Sequence, residues 1–152
     1  SPLRDVYKRQ TVMENIEFFK SLCENPISDE TLHSYLSQLN FTDTKVKVSN
    51  LSGGNKRKVN IMIGLLSRPK ILILDEPTEG IDLESRYDIH NLLQQMTDQC
   101  LIIMTTHHLD EVEALADDIK VIGQNPFYHD ILENKGWSFK KYANALADNT
   151  KS

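Results

Sequence analysis

Leu51-Ser52-Gly53-Gly54-Asn55 stands some fifteen residues upstream of Ile71-Leu72-Ile73-Leu74-Asp75-Glu76-Pro77, and these two stretches carry most of the chain's information. A hydroxyl and two glycines that open a helix make an anion-binding end, because the first backbone N–H groups of a helix lack partners and carry partial positive charge. Glycines let that backbone approach a phosphate closely, and Ser52 adds a hydroxyl. Ser-Gly-Gly alone is equally read as an ordinary Ser-capped helix after a Gly turn. Its placement before a helix and an apolar strand tipped by two carboxylates favours phosphate. Four apolar residues in a row are expected of a parallel strand covered on both faces. In such sheets ligands gather at the carboxyl ends of strands, where Asp75 and Glu76 fall. Asp75 there can hold Mg2+, and Glu76 can orient and polarise an attacking water.

Working outward, Gly54 begins a helix through Val59, Met62, Ile63 and Leu66 that stops before Pro69. Upstream, Thr11 and Glu14 have capping-box spacing and open a helix to Glu24, with Ile16, Phe19, Leu22 and Cys23 on one face. A second helix starts near Ser28, with acidic Asp29 and Glu30 in its first turn and a stripe of Leu32, Tyr35, Leu36 and Leu39. Residues 40–50 read as connecting loop. Downstream, Leu83 to Met96 is a helix, Leu101 to Thr106 a second buried strand, Leu109 to Ala116 a short helix and Ile119 to Ile122 a third strand. Strand–helix–strand–helix–strand order predicts an α/β parallel sheet with right-handed crossovers. The tail predicts a helix around Phe127 to Glu133 and another from Ser138 to Ala147, with Trp137, Phe139 and Tyr142 as tail packing. Ser1 to Gln10 has no apolar periodicity; it resembles a cloning or assembly remnant, with a natural tail as the other reading.

The remaining motifs are less specific. Thr105-Thr106-His107-His108 ends the second strand, where a His can donate a hydrogen bond to a phosphate oxygen as charge builds. A surface or capping His is the alternative. Paired His also suggests metal, but no Cys, third His or carboxylate completes a recognisable ligand spacing in the sequence. Asp82 is placed to cap the helix from Leu83. Lys56-Arg57-Lys58 reads as a solvated helix face, with a phosphate or lipid contact as the alternative.

Composition sets the frame. The 152 residues fit one domain, and 39% hydrophobic with 26% charged residues is ordinary for a globular protein. A net charge of −5 argues against a nucleic-acid partner held by phosphate contacts. Cys23 and Cys100 are far apart and in no Cys-x-x-Cys pattern, which argues against structural zinc or a disulfide framework and for a reducing compartment. No apolar run approaches the roughly 18–20 residues that span a bilayer, so any spanning part of the system lies elsewhere.

The same residues resemble the ABC family of ATPases. Leu51 to Asn55 looks like the ABC signature motif, Ile71 to Pro77 like Walker B, Glu79-Gly80-Ile81-Asp82 like the D-loop and Thr106-His107 like the H-loop. The match runs from about Thr11 to Ile122 in family order. Leu51-Ser52-Gly53-Gly54-Asn55-Lys56-Arg57-Lys58 and Thr105-Thr106-His107-His108-Leu109-Asp110-Glu111-Val112-Glu113-Ala114 resemble the A subfamily of eukaryotic ABC transporters in particular.

The resemblance implies a P-loop NTPase (RecA-like) parallel sheet with helices on both faces and a helical subdomain. Residues 11–66 would be that subdomain and the signature helix, residues 70–123 the catalytic α/β part and residues 124–152 the C-terminal tail. It implies a head-to-tail dimer of ATPase domains on the cytoplasmic side of a membrane, joined to transmembrane domains, with ATP and Mg2+ as cofactors. Ser52, Gly53, Gly54 and Asn55 would meet ATP held by the opposite domain, and Asp82 would lie at the dimer contact. Asp75 would serve Mg2+, Glu76 the water and His107 the γ-phosphate within this domain.

Several departures stand out. The Walker A loop of Gly-x4-Gly-Lys-Ser/Thr type and the Q-loop would lie before Thr11 and are absent, so the chain looks like the C-terminal portion of an ATPase domain whose sheet lacks a central strand. Asn55 stands for the commoner Gln, Glu79 for a small residue and Leu83 for a common Pro, and the turn and strand after Ile122 are abbreviated. The expected function is ATP hydrolysis driving transport, of lipids by analogy. The alternatives are a non-catalytic piece offering only its signature face, or a soluble ABC ATPase working on DNA or ribosomes. Neither coiled-coil heptads nor a basic linker favours the latter.

Overall fold

Ser52 opens the central helix as its sequence predicts: its hydroxyl oxygen accepts the Asn55 N–H at 3.1 Å, and helix α3 (Gly53–Leu65) follows. The structure is a computed structural model, and it describes residues 9–123 and 126–136. Before α3 come α1 (Val12–Ser21), α2 (Asp29–Gln38) and a 3-10 turn at Val48–Asn50. After it come β1 (Ile71–Asp75), α4 (Leu83–Met96), β2 (Leu101–Thr105), α5 (Leu109–Leu115) and α6 (Pro126–Asn134). The residues form two compact units, one up to Leu115 and one from Ala116. The second predicted tail helix and the packing of Trp137, Phe139 and Tyr142 lie outside the described residues.

Local chemistry accounts for the helix ends. Thr11 and Glu14 form the capping box: Thr11 Oγ1 accepts the Glu14 N–H and the Glu14 carboxylate accepts the Thr11 N–H. Ser28 caps α2 through the Thr31 N–H, and Asp82 caps α4 through the Ser85 N–H at 2.8 Å. The predicted loop after α2 is anchored to α1: Val12 and Met13 N–H groups donate to the Val46 and Thr44 carbonyls, and the Val48 N–H donates to the Gln10 carbonyl.

One apolar core joins the helices. Val12 and Ile16 of α1, Leu32 and Leu36 of α2, Val59, Met62 and Leu65 of α3 and Ile89, Leu92 and Leu93 of α4 are all buried within it. Helix α3 packs on both α1 and α4, and α4 also meets α2 and α5. Burying such a side chain contributes ~1.5–3 kcal/mol, so this four-helix contact holds the first unit together.

Two expectations fail here. Residues 119–122 form no strand, and Ile122 is exposed. Its apolar run is strand-like, but a strand exists only through a ladder partner, and the described residues supply none to this segment. The sheet they form is β1 beside β2, parallel, with Ile71 opposite Leu101 and Asp75 opposite Thr105. Nor is β1 covered on both faces. Leu72 is buried, but Ile71, Ile73, Leu101 and Ile103, which share the other face, are exposed, Ile73 at 74%. The continuous apolar sequence is therefore built for a cover on that face as well.

An exposed strip of four β-branched or leucine side chains on a two-stranded sheet is an association surface. We expect the isolated chain to bind an apolar-surface dye and to self-associate in size-exclusion chromatography with light scattering. Ile73→Lys with Ile103→Lys should reduce both. A dye-silent monomer with a sharp cooperative melt would contradict this.

Candidate active site

The parallel register sets the tips of β1 and β2 side by side, which brings two carboxylates to two histidines. Thr105 Oγ1 donates to Asp75 Oδ1 at 2.5 Å, and the Glu76 N–H donates to the Thr105 carbonyl at 3.0 Å. Glu76 sits at φ 46°, in the left-handed region that non-glycine residues seldom enter. The turn that imposes it is closed by the Glu79 N–H donating to the Glu76 carbonyl. Gly80, at φ 69°, completes the reversal where a side chain would be strained.

Side chains then meet across the two loops. Glu76 Oε1 lies 2.9 Å from His107 Nδ1, and Glu79 Oε2 lies 2.7 Å from His108 Nε2 and 3.4 Å from His107 Nε2. The hydrogen bond to Glu76 and its charge raise the His107 pKa, and the bond from His108 lowers that of Glu79. The structure thus gathers Asp75, Glu76 and His107, 31 residues apart at Glu76 and His107, into one cluster.

Ser52, Gly53, Gly54 and Asn55 lie on the N-terminus of α3. Gly54 is buried against the α4 cap: a Cβ there would fall 2.1 Å from Ser85 Oγ and 2.6 Å from Asp82 Oδ2, so only glycine permits this approach. Gly53 is different. It is exposed, and nothing lies within 4 Å of where its Cβ would stand, so this first residue of α3 is not packed as Gly54 is. Asp82 is held low in pKa by the backbone and side chain of Ser85.

Among these residues are donors of the kind that Mg2+ and a phosphate oxygen take. Magnesium takes hard oxygen donors and keeps several waters. Asp75 is exposed at the strand tip, and among the described residues its Oδ2 accepts no hydrogen bond. The N-terminal end of α3 at Gly53 carries the partial positive charge that suits a phosphate oxygen.

Three supporting groups were not legible as such. Glu111, which the sequence does not single out, stands in the first turn of α5 and is fully buried. Thr78 Oγ1 donates to its Oε1 at 2.7 Å, and His90 Nε2 lies 3.0 Å from the same oxygen. A carboxylate only accepts, so His90 carries its proton on Nε2. Burial alone would push Glu111 up, but the bonds from His90, Thr106 and Thr78 hold it at about 2. Glu111 therefore ties the loop after β1, the loop after β2 and helix α4 to one point. Lys58 corrects the reading of Lys56-Arg57-Lys58 as a solvated face. It is 4% exposed, and its Nζ lies 2.6 Å from Asp88 Oδ2, while Asn40 Nδ2 donates to the other Asp88 oxygen. A buried lysine needs such a partner, because an unpaired buried charge costs several kcal/mol. The third missed group is the Glu79 and His108 pair, which the sequence separates by 29 residues.

A sequence model of the ABC transporter family matches residues 4–79, half of the chain. The chain belongs to the ABC transporter family. Relatives include the ABC transporter A family member 7 of Dictyostelium discoideum, 34% identical over 117 residues that cover 75% of this chain and 14% of that protein. The phospholipid-transporting ATPase ABCA3 of Mus musculus is 36% identical over 127 residues, covering 81% of this chain and 8% of that protein. The xylose import ATP-binding protein XylG of Thermoanaerobacter pseudethanolicus is 38% identical over 105 residues, covering 67% of this chain and 21% of that protein. The chain thus spans about a fifth or less of these relatives' lengths. Among solved structures, the dimeric post-hydrolysis ATP-binding cassette MJ0796 bound to ADP and Pi aligns with a TM-score of 0.58 at 23% identity, over 70% of this chain and 50% of that one. The ADP conformation of the cassette MJ1267 aligns with a TM-score of 0.57 at 25% identity, over 73% and 51%. The architecture is that of the P-loop NTPase fold of ABC ATPase cassettes, with the parallel pair β1–β2 as the part of the sheet described.

The Glu111 cluster makes a pH prediction. Its carboxyl is ordinary at 4.5 when unfolded and about 2 when folded, so its contribution is complete above pH 4.5 and is lost as pH falls towards 2. A shift of that size corresponds to about 3 kcal/mol. Denaturant unfolding of the wild type and Glu111→Gln should differ most near neutrality and converge as pH drops through that window. A difference that stays constant with pH would refute the assignment.

Proposed function

We propose that this chain carries the hydrolytic residues of an ATP-binding domain that powers an ABC transporter of A-family type, moving a lipid-like substrate. The observation that carries the reading is the 2.9 Å contact between Glu76 and His107 at the tips of paired parallel strands, beside the exposed carboxylate of Asp75. In the reaction water adds to the γ-phosphorus of ATP, the bond to the bridging oxygen breaks, and ADP and phosphate leave. Glu76 orients the water and accepts hydrogen-bond character from it. His107 donates to a γ-phosphate oxygen as charge accumulates. Asp75 would hold Mg2+, which would supply positive charge to the phosphate oxygens.

Ser52, Gly53 and Gly54, with Asn55, serve a second ATPase domain. Their helix end closes on ATP held by the partner in a head-to-tail pair, with Asp82 at the contact. The dimeric state named for the MJ0796 cassette and the phospholipid transport named for ABCA3 support these assignments by kinship. Transmembrane domains would be the other partner, and the domain would sit against the membrane on its cytoplasmic side. Among the described residues no helix is long and apolar enough to cross a membrane. A phosphate-cradling loop of Gly-x4-Gly-Lys-Ser/Thr type supplies backbone donors and a lysine that no stretch of this sequence provides, so the 152 residues alone are inactive.

In a chain extended to include such a loop, Glu76→Gln should slow ATP hydrolysis by ~10²–10⁴-fold while nucleotide binding stays within a few-fold. Equal loss of binding and turnover would remove the water-orienting role. Mg2+-dependent turnover by the present 152 residues, abolished by Glu76→Gln, would overturn the inactivity of the chain on its own.

A further inference from the structure

Glu76, Glu79, His107 and His108 present one carboxylate oxygen or imidazole nitrogen each, and these four atoms all lie within 4.8 Å of one another. We propose that they form a binding site for a divalent transition metal of the zinc class, separate from the oxygen site at Asp75. Two imidazoles and two carboxylates are a donor set that suits Zn2+ and disfavours Mg2+ or Ca2+, which take oxygen alone.

The geometry is close to what zinc needs. Four ligands at zinc bond lengths stand roughly 3.3 Å apart at the corners of a tetrahedron. Here Glu76 Oε1 stands 2.9 Å from His107 Nδ1 and Glu79 Oε2 stands 2.7 Å from His108 Nε2, and one ligand atom from each of the four residues lies within 4.8 Å of the others. Rotation of the four side chains then draws the two pairs around the ion. Glu111 accepts from Thr78 on one of the loops that bear them and from Thr106 on the other, and its contact with His90 ties both to α4.

A second observation singles out Glu76. Its Oε2 is closed off from solvent and has no hydrogen-bond partner, an uncompensated acceptor that a cation would satisfy. Glu79 and His107, by contrast, are about half exposed, at 49% and 54% of the side chain, so the ion has a way in. Glu79 is also the residue that stands where the family resemblance expects a small side chain. The pair of His residues, which lacks any ligand spacing in the sequence, gains its carboxylates only through the β1–β2 register.

Zinc at this position would hold Glu76 away from water and His107 away from phosphate. The site is thus inhibitory, and that consequence rests on the proposed hydrolytic roles of the two residues; metal binding itself does not.

The test is titration of the full 152-residue chain, untagged, with Zn2+ against a chromogenic chelator, and with Co2+ by visible absorption. One ion per chain with the intense bands of tetrahedral Co2+ is expected, unaffected by millimolar Mg2+. Glu79→Ala and His108→Ala, each outside the hydrolytic set, should weaken binding at least tenfold while circular dichroism stays unchanged. His33→Gln, on α2, should leave binding intact. In an extended chain that hydrolyses ATP, zinc should inhibit the wild type and spare His108→Ala, with reversal by chelator. Binding that survives both alanine variants, or displacement by Mg2+, would overturn the site. Zinc binding without inhibition would leave the site standing and refute the role given to Glu76 and His107.

Discussion

The parallel register of β1 and β2 is the constraint on which the rest of the site depends. It sets Asp75 opposite Thr105, and the Thr105 hydroxyl and carbonyl then fix both the Asp75 carboxylate and the Glu76 backbone. A slip of one residue would turn every side chain of a strand to the other face. It would also carry His107 past Glu76. The left-handed turn at Glu76 starts from the residue that Thr105 holds and is closed by the Glu79 N–H on the Glu76 carbonyl, so register and turn meet at Glu76. Glu76 and His107, just past the ends of two short strands, thereby become neighbours although the chain between them includes a whole helix.

Helices α3 and α4 convert that local geometry into a domain. Gly54 lets α3 come down on the capped start of α4, and the buried Lys58–Asp88 pair fixes their rotation a turn further on. Glu111 adds the last tie, binding both strand-tip loops to His90 on α4. The N-terminal end of α3 and the carboxylate cluster of β1 are therefore both anchored to α4.

Local signals carried much of this in the sequence. The capping box at Thr11, the caps at Ser28, Ser52 and Asp82, and the bounds of β1 and α4 all follow from side-chain chemistry within four residues, which is why they were readable. What was hidden is non-local. Lys58 in a basic triplet looks solvated until Asp88 is brought to it, and Glu111 in an acidic helix is singled out only by the Thr78–His90 pair. The strand expected at residues 119–122 failed for the same reason: apolar residues state a preference, but the ladder partner decides. The apolar run of β1 was read as doubly buried, and the bare face at Ile73 shows the demand without its cover. Of the candidate site, Asp75, Glu76 and His107 were legible from their placement at strand ends. The Glu79–His108 contact was not, since no short-range spacing encodes it.

Disulfide trapping across the strand pair tests the register most directly. In a background with Cys23→Ser and Cys100→Ala, the pair Ile73→Cys with Ile103→Cys lies in register on the exposed face. Neighbouring strands stand about 4.8 Å apart, within bridging distance, whereas a partner two residues off lies roughly 8 Å away, beyond it. Mild oxidation of dilute protein should yield the intramolecular disulfide for Ile73→Cys with Ile103→Cys and little for Ile73→Cys with Leu101→Cys, as read by mass spectrometry of the monomer. Preferential bridging of the offset pair would place His107 away from Glu76 and contradict the account of the site.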